Sequence, residues 1–167
     1  MSIRSRLAPL LVLSFFTLAI GFWEAWPIEG FRSEIGDGQP RLPIVRLEGA
    51  PGGTLTVEVA DEVHERKEGL SRRNTLKSGH GMVFLFPEPG TYGFWMHEMR
   101  FPIDIVYLRE GVVTQVFPRV SAPRPGGVPT SVEPEKPADA VLELYAGEAG
   151  QRGITEGTYF QGFPTLR

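Results

Sequence analysis

A mainly β domain with one or two short helices is what this sequence predicts. Glycine and proline make up about a fifth of the chain, 20 and 15 of 167 residues, and are spread along it, which disfavours long helices. Several short runs alternate apolar with polar residues at period two, with turn residues between them. The chain has no cysteine, so no disulfide braces it and stability has to come from one apolar core.

Residues 1–26 read as a leader. Arg4 and Arg6 stand before the apolar run Leu7 to Ile20, the layout of a signal peptide, and Ala19-Ile20-Gly21 offers small residues for cleavage. Phe22, Trp23 and Trp26 prolong the apolar stretch, so the alternative is an uncleaved membrane anchor over residues 7–26. Either way the expected location is outside the cytoplasm, in the periplasm or at the cell surface. Residues 27–41 lack apolar periodicity and read as a linker, which leaves 42–167 as a single β-rich domain. The formal charge of −3 becomes −4 without the leader, where Arg4 and Arg6 outweigh Glu24 by one. No basic stripe remains to neutralise phosphates, so nucleic acid is not an expected partner.

The elements follow in order. Ile44 to Glu48 and Thr54 to Val59 alternate as half-buried strands joined by the turn Gly49 to Gly53. Asp61 is placed to cap a helix of about two turns over Glu62 to Glu68, which Gly69 ends in a left-handed conformation. Gly81 to Phe86 is apolar throughout, the pattern of a strand buried on both faces, and Pro87, Pro89 and Gly90 stop it. Tyr92 to Met96 reads as the second arm of a hairpin with that strand. Polarity then changes abruptly at His97, Glu98 and Arg100. Ile103 to Leu108 and Val112 to Phe117 form another hairpin around Glu110-Gly111. Six prolines between Pro118 and Pro137 predict an irregular surface loop. Val141 to Tyr145 is a strand, Ala146 to Gly153 a short turn or helix, and the last strand lies near Thr158 to Phe160.

Five features in fixed order give the chain a family resemblance: Gly69-Leu70 with Arg73 and Leu76; Gly81 to Phe86; Phe94-Trp95-Met96; Pro102-Ile103-Asp104; and Leu142 to Gly147. Together they resemble the family known only as domain of unknown function 192, small and often exported prokaryotic proteins. The resemblance spans about Leu55 to Phe160 and implies a compact antiparallel β-sandwich or jelly-roll-like barrel, with no activity to carry over. The chain departs from the family pattern at three places. Ser71 replaces a Met, His97-Glu98-Met99 replaces Lys-Asn-Thr, and Thr158 replaces an Asp.

Arg73, Asp104 and Glu143 are charges in apolar surroundings, and buried charges need partners, so the three are expected to meet. They read either as an ion-pair network fixing strand register or as a polar site, in which Asp104 and Glu143 could divide acid and base roles. Trp95 with Tyr92, Phe94 and Phe101 is a candidate stacking platform for a sugar ring, with His97, Glu98 and Arg100 at its edge to bind hydroxyls, against the alternative of core packing. His64, His80 and His97 with Met82, Met96 and Met99 raise copper(I), but strand alternation separates Met96 from His97. His64 and Glu68 give only two ligands, so neither metal nor cofactor is expected. No motif supports acyl transfer or nucleotide hydrolysis. The expected function is therefore a cell-envelope binding or accessory module holding a small polar or glycan ligand through Trp95, His97, Arg73, Asp104 and Glu143. A carboxylate-pair hydrolase and a ligand-free structural or protein-interaction domain are the alternatives. Oligomeric state is not legible.

Overall fold

A computed structural model describes residues 42–49, 52–161 and 163. The leader at 1–26 and the linker at 27–41 lie outside the described residues. Among the described residues no helix is long and apolar enough to cross a membrane.

The elements run β1 (Ile44–Leu47), β2 (Leu55–Ala60), α1 (Val63–Glu68), β3 (His80–Gly90), β4 (Phe94–Trp95), β5 (Ile103–Arg109), β6 (Val112–Val120), β7 (Ser131–Val132), β8 (Ala138–Tyr145) and α2 (Glu148–Gln151). Six strands form one sheet in the order β1-β2-β3-β8-β5-β6, and β4 pairs with β7 in a small second sheet. This is the mainly β class the composition predicts, with two short helices. All pairs in the large sheet are antiparallel except β2 with β3. A parallel pair needs a crossover, and α1 with the loop after it supplies one.

Both faces of the large sheet are buried, so side chains one residue apart enter different cores. One face carries Val57, Val83, Val106 and Leu142 with Phe160 packed against them. The other carries Met82, Phe84, Ile105, Tyr107 and Val141, covered by Leu70, Leu76, Met96, Met99 and Phe101 from the loops. The second layer of a sandwich is thus present in reduced form, as the β4–β7 ribbon and the loops around it. The sheet does not close into a jelly-roll barrel. Instead the C-terminal segment reaches both edges: Gln161 N–H donates to Glu48 O at 2.9 Å, and Phe160 N–H to Gly111 O at 3.0 Å. The expected last strand is reduced to isolated bridges at Tyr159 and Gln161.

Several local expectations are corrected. Pro87 and Pro89 do not end β3, which runs on to Gly90 through a break in its register with β8 between Leu85 and Gly90. Where no ladder bond is made, proline's missing N–H is no loss. Pro118 likewise lies inside β6, an edge strand of the large sheet. β3 and β4 are not a hairpin, because β4 pairs with Ser131 and Val132 inside the proline-rich loop. The α1 N-cap is Glu62 rather than Asp61, and the Glu65 carboxylate accepts both their backbone N–H groups. Gly69 ends the helix, but at φ 51° and ψ −134° rather than in the expected left-handed helical conformation, and Glu110 and Gly111 take the positive φ of a tight hairpin turn.

Candidate functional site

Strand register decides which charges can meet. Glu58, Met82, Glu143 and Ile105 lie side by side across β2, β3, β8 and β5, and directly paired residues share a face. Arg73, on the loop after α1, reaches this row: its guanidinium pairs with Glu58 through both nitrogens, the longer contact being 2.9 Å. Glu143 is buried, and its Oε2 has no hydrogen-bond partner. Burial pushes its pKa up to about 8, with Arg73 pulling it partly back, so it is a neutral acid at pH 7. Tyr107, on the same face, is raised by burial first and then by Glu143 and Glu133; its hydroxyl donates to Tyr92 O at 2.8 Å.

Asp104 does not join them. It pairs with Leu144 rather than Glu143 and so belongs to the opposite face. Its carboxylate accepts three backbone N–H groups, those of Arg119 and Gly147 at Oδ1 and of Ala149 at Oδ2, each at 2.8 Å. Asp104 therefore ties β5 to β6 and to the start of α2. The expected convergence of Arg73, Asp104 and Glu143 is replaced by Arg73 and Glu143 with Glu58, and the acid–base pair does not assemble. Nor do the methionines suggest a metal: Met82, Met96 and Met99 are buried in the layer between sheet and loops. Among the described residues no three histidine, aspartate or glutamate side chains gather in a metal-holding group.

Trp95 points the other way. Alternation along β4 sends Phe94 inward, edge-on to Phe84 at 5.0 Å, and leaves Trp95 63% exposed. Its ring stacks on His97 at 4.5 Å and 13°. The pairing of Trp95 with Ser131 and the bond from Met96 N–H to Thr130 O at 2.8 Å hold this platform against the proline-rich loop. Met96, between them in sequence, is 1% exposed and belongs to the core that holds Met82 and Ile105, the cross-strand neighbours of Glu143, so the platform faces solvent while Glu143 faces the core.

That segment is fastened to the loop carrying Arg73. Ser71 Oγ donates to His97 O at 3.0 Å, Arg72 N–H donates to Glu98 O at 2.9 Å, and Arg100 donates to Asn74 at 2.6 Å. Arg72 also makes looser ion pairs, 3.5 Å each, to Glu68 and Glu98. Arg72 and Glu98 both adopt positive φ, 64° and 54°, which residues other than glycine rarely do. Ser71, His97 and Glu98, three departures from the family pattern, are thus all at this seam. The residue missed by sequence reasoning is Glu58, whose alternation with Val57 and Val59 made it look like a solvated strand face. The available signal was the need of Arg73 for an acidic partner.

The molecule is a two-faced β domain with a loop layer that presents an aromatic platform outward and a buried acid inward. It belongs to the DUF192 family, described as "Uncharacterized ACR", whose profile matches residues 44–162. It is similar to a protein of unknown function from Novosphingobium aromaticivorans, 26% identical, with a TM-score of 0.65 over 79% of this chain and 94% of that one. It is also similar to a Sinorhizobium meliloti protein described as a candidate transcription regulator, 29% identical, with a TM-score of 0.64 over 74% of this chain and 97% of that one. No curated protein matches the chain.

Proposed function

We propose that this protein is exported by its leader and serves in the cell envelope as a binding module for a small polar or glycan ligand. The observation that carries the reading is the exposed Trp95–His97 stack on a hydrogen-bonded ribbon. A large aromatic ring left in water on a stiff frame offers a sugar its apolar face, while polar groups beside it take hydroxyls. Glu98 and Arg100 stand within three and five residues of Trp95, and the proline-rich loop borders it. The export half of the reading rests on Arg4, Arg6 and the apolar run behind them. A regulator role like that attributed to the Sinorhizobium protein finds no support in the net negative charge of this chain.

Thermal denaturation with chito-oligosaccharides and maltodextrins as probes tests the binding half. A probe at ten times its dissociation constant adds about 1.4 kcal/mol, or about 3 to 6 °C for a domain of this size. Trp95→Ala should abolish that shift while changing the unliganded stability by less than about 0.5 kcal/mol, since the ring is mostly exposed. A shift that survives Trp95→Ala refutes the platform. No shift with any probe favours a protein-interaction or structural domain.

A further inference from the structure

Met82 and Ile105, the cross-strand neighbours of Glu143, lie in the core covered by Leu70 and Leu76 from one loop and by Met96, Met99 and Phe101 from the segment that carries the Trp95–His97 platform. The titratable groups sharing its face or set against it are Arg46 on β1, Glu58 on β2, His80 at the start of β3, Tyr107 on β5 with Glu133 acting on it, Tyr145 on β8 and Arg73 from the loop after α1. Among these Arg73 is the cation whose charge acts on Glu143, while Arg46 lies three strands away on β1. With Glu143 neutral, Glu58 is the carboxylate paired with the Arg73 guanidinium. Once Glu143 ionises, two carboxylates two strands apart, roughly 10 Å at the usual strand spacing, draw on that guanidinium in a layer of low polarity.

Neither way of relieving the new charge leaves the loops in place. Arg73 can swing from Glu58 toward Glu143, or the loops can lift and admit water. Either motion displaces the 70–74 segment, and Ser71, Arg72 and Asn74 are bonded to His97, Glu98 and Arg100. The positive φ of Arg72 and Glu98 places an unfavourable backbone conformation at the seam, which yields when the bonds across it are pulled. We infer that Glu143 is a proton-operated latch: its protonated form holds the 70–76 and 94–101 loops closed over the sheet, and loss of the proton releases them and disorganises the Trp95–His97 stack. The inference rests on the binding reading for its consequence, a ligand held at neutral and acid pH and released in alkali, but not for its mechanics. It makes Glu143 a positioning residue, acting on the platform through Arg73.

The test uses the full chain with Trp23→Phe and Trp26→Phe, so that Trp95 is the sole indole. Its emission, sensitive to the stacked imidazole, is followed from pH 5 to 9. The expected result is an upper transition, near pH 8. Glu143→Gln and, independently, Glu143→Leu should erase the upper transition and leave the far-ultraviolet dichroism unchanged. A transition that persists in a folded variant, or is absent from the parent, overturns the latch. Binding of chito-oligosaccharide separates the two readings. The latch predicts affinity weaker by about fivefold or more at pH 9 than at pH 6.5, and equal affinities in Glu143→Gln. Equal affinities in the parent overturn it as a regulator. An upper transition erased by both Glu143 variants, with no probe bound at any pH, upholds the mechanics and removes the binding reading.

Discussion

Replacing Glu143 by glutamine should make the protein more stable at neutral and alkaline pH, because it removes an ionisable group from the core. The folded-state pKa of Glu143 is raised to about 8 from an ordinary value of 4.5. Between those values the folded chain holds a proton that the unfolded chain has lost. Stability therefore falls as pH rises, by about 1.4 kcal/mol per unit. The contribution is fully present below pH 4.5 and fully lost above about pH 8, so the interval of 3.5 units, 8 less 4.5, corresponds to on the order of 5 kcal/mol. Glutamine has the shape of the neutral acid and no proton to lose. The assay is urea denaturation of both proteins from pH 5 to 9, followed by circular dichroism, with the difference taken at each pH. Asp61, whose pKa is also raised by burial and by Glu65, is present in both and cancels. A loop opening that hydrates the carboxylate caps the loss, so the plateau above pH 8 reads out the free energy of opening. Parallel stability profiles, within about 1 kcal/mol across the range, would refute both the buried neutral acid and its linkage.

Two further outcomes follow from the geometry. Asp104→Asn should destabilise by about 3 kcal/mol at pH 7, measured as a shift in urea midpoint, because the amide turns a donor toward one of three buried N–H groups; a loss below about 1 kcal/mol would mean that the carboxylate is not the clamp described. Gly81→Ala should lower the melting temperature by more than about 8 °C, since its Cβ would stand 2.6 Å from Glu143 O and 2.9 Å from Leu144 in the β3–β8 pairing, where backbone cannot yield cheaply.

Much of the fold was legible because its signals are local. Gly81 to Phe86 read as a doubly buried strand from composition alone, and all but Phe86 are buried; Glu110-Gly111 marks the β5–β6 hairpin wherever the strands go. The errors arose where partners are remote. That β3 takes β2 in parallel and leaves Tyr92 to Met96 to a ribbon with Ser131 depends on which edges are free after collapse, and no period in the sequence encodes that. Prolines mislead for the same reason: Pro87, Pro89 and Pro118 read as stops, but where a strand has an unpaired stretch or edge the missing donor is tolerated. For the site, the sequence left Trp95 between platform and core, and alternation along β4 turns it outward, whereas Asp104 was placed with the wrong companions.

That misplacement has a single physical origin. In a sheet with one wet face, a buried acid can only face the one core, so acids from neighbouring strands are natural partners. Here both faces are dry, and a shift of one residue in register separates two acids by the thickness of the sheet. Asp104 pairs with Leu144, and Glu143 with Ile105. The two carboxylates then find different solutions to the same desolvation problem. Asp104 sits where strand, bulge and helix start turn their N–H groups inward, so its charge is satisfied by backbone. Glu143 has apolar Met82 and Ile105 as its cross-strand neighbours, with Arg73 held to Glu58 nearby, and keeps its proton instead. The first arrangement leaves nothing to titrate near neutrality. The second leaves a group whose charge state can be changed by its surroundings, under loops tied to Trp95, the most exposed large aromatic ring among the described residues.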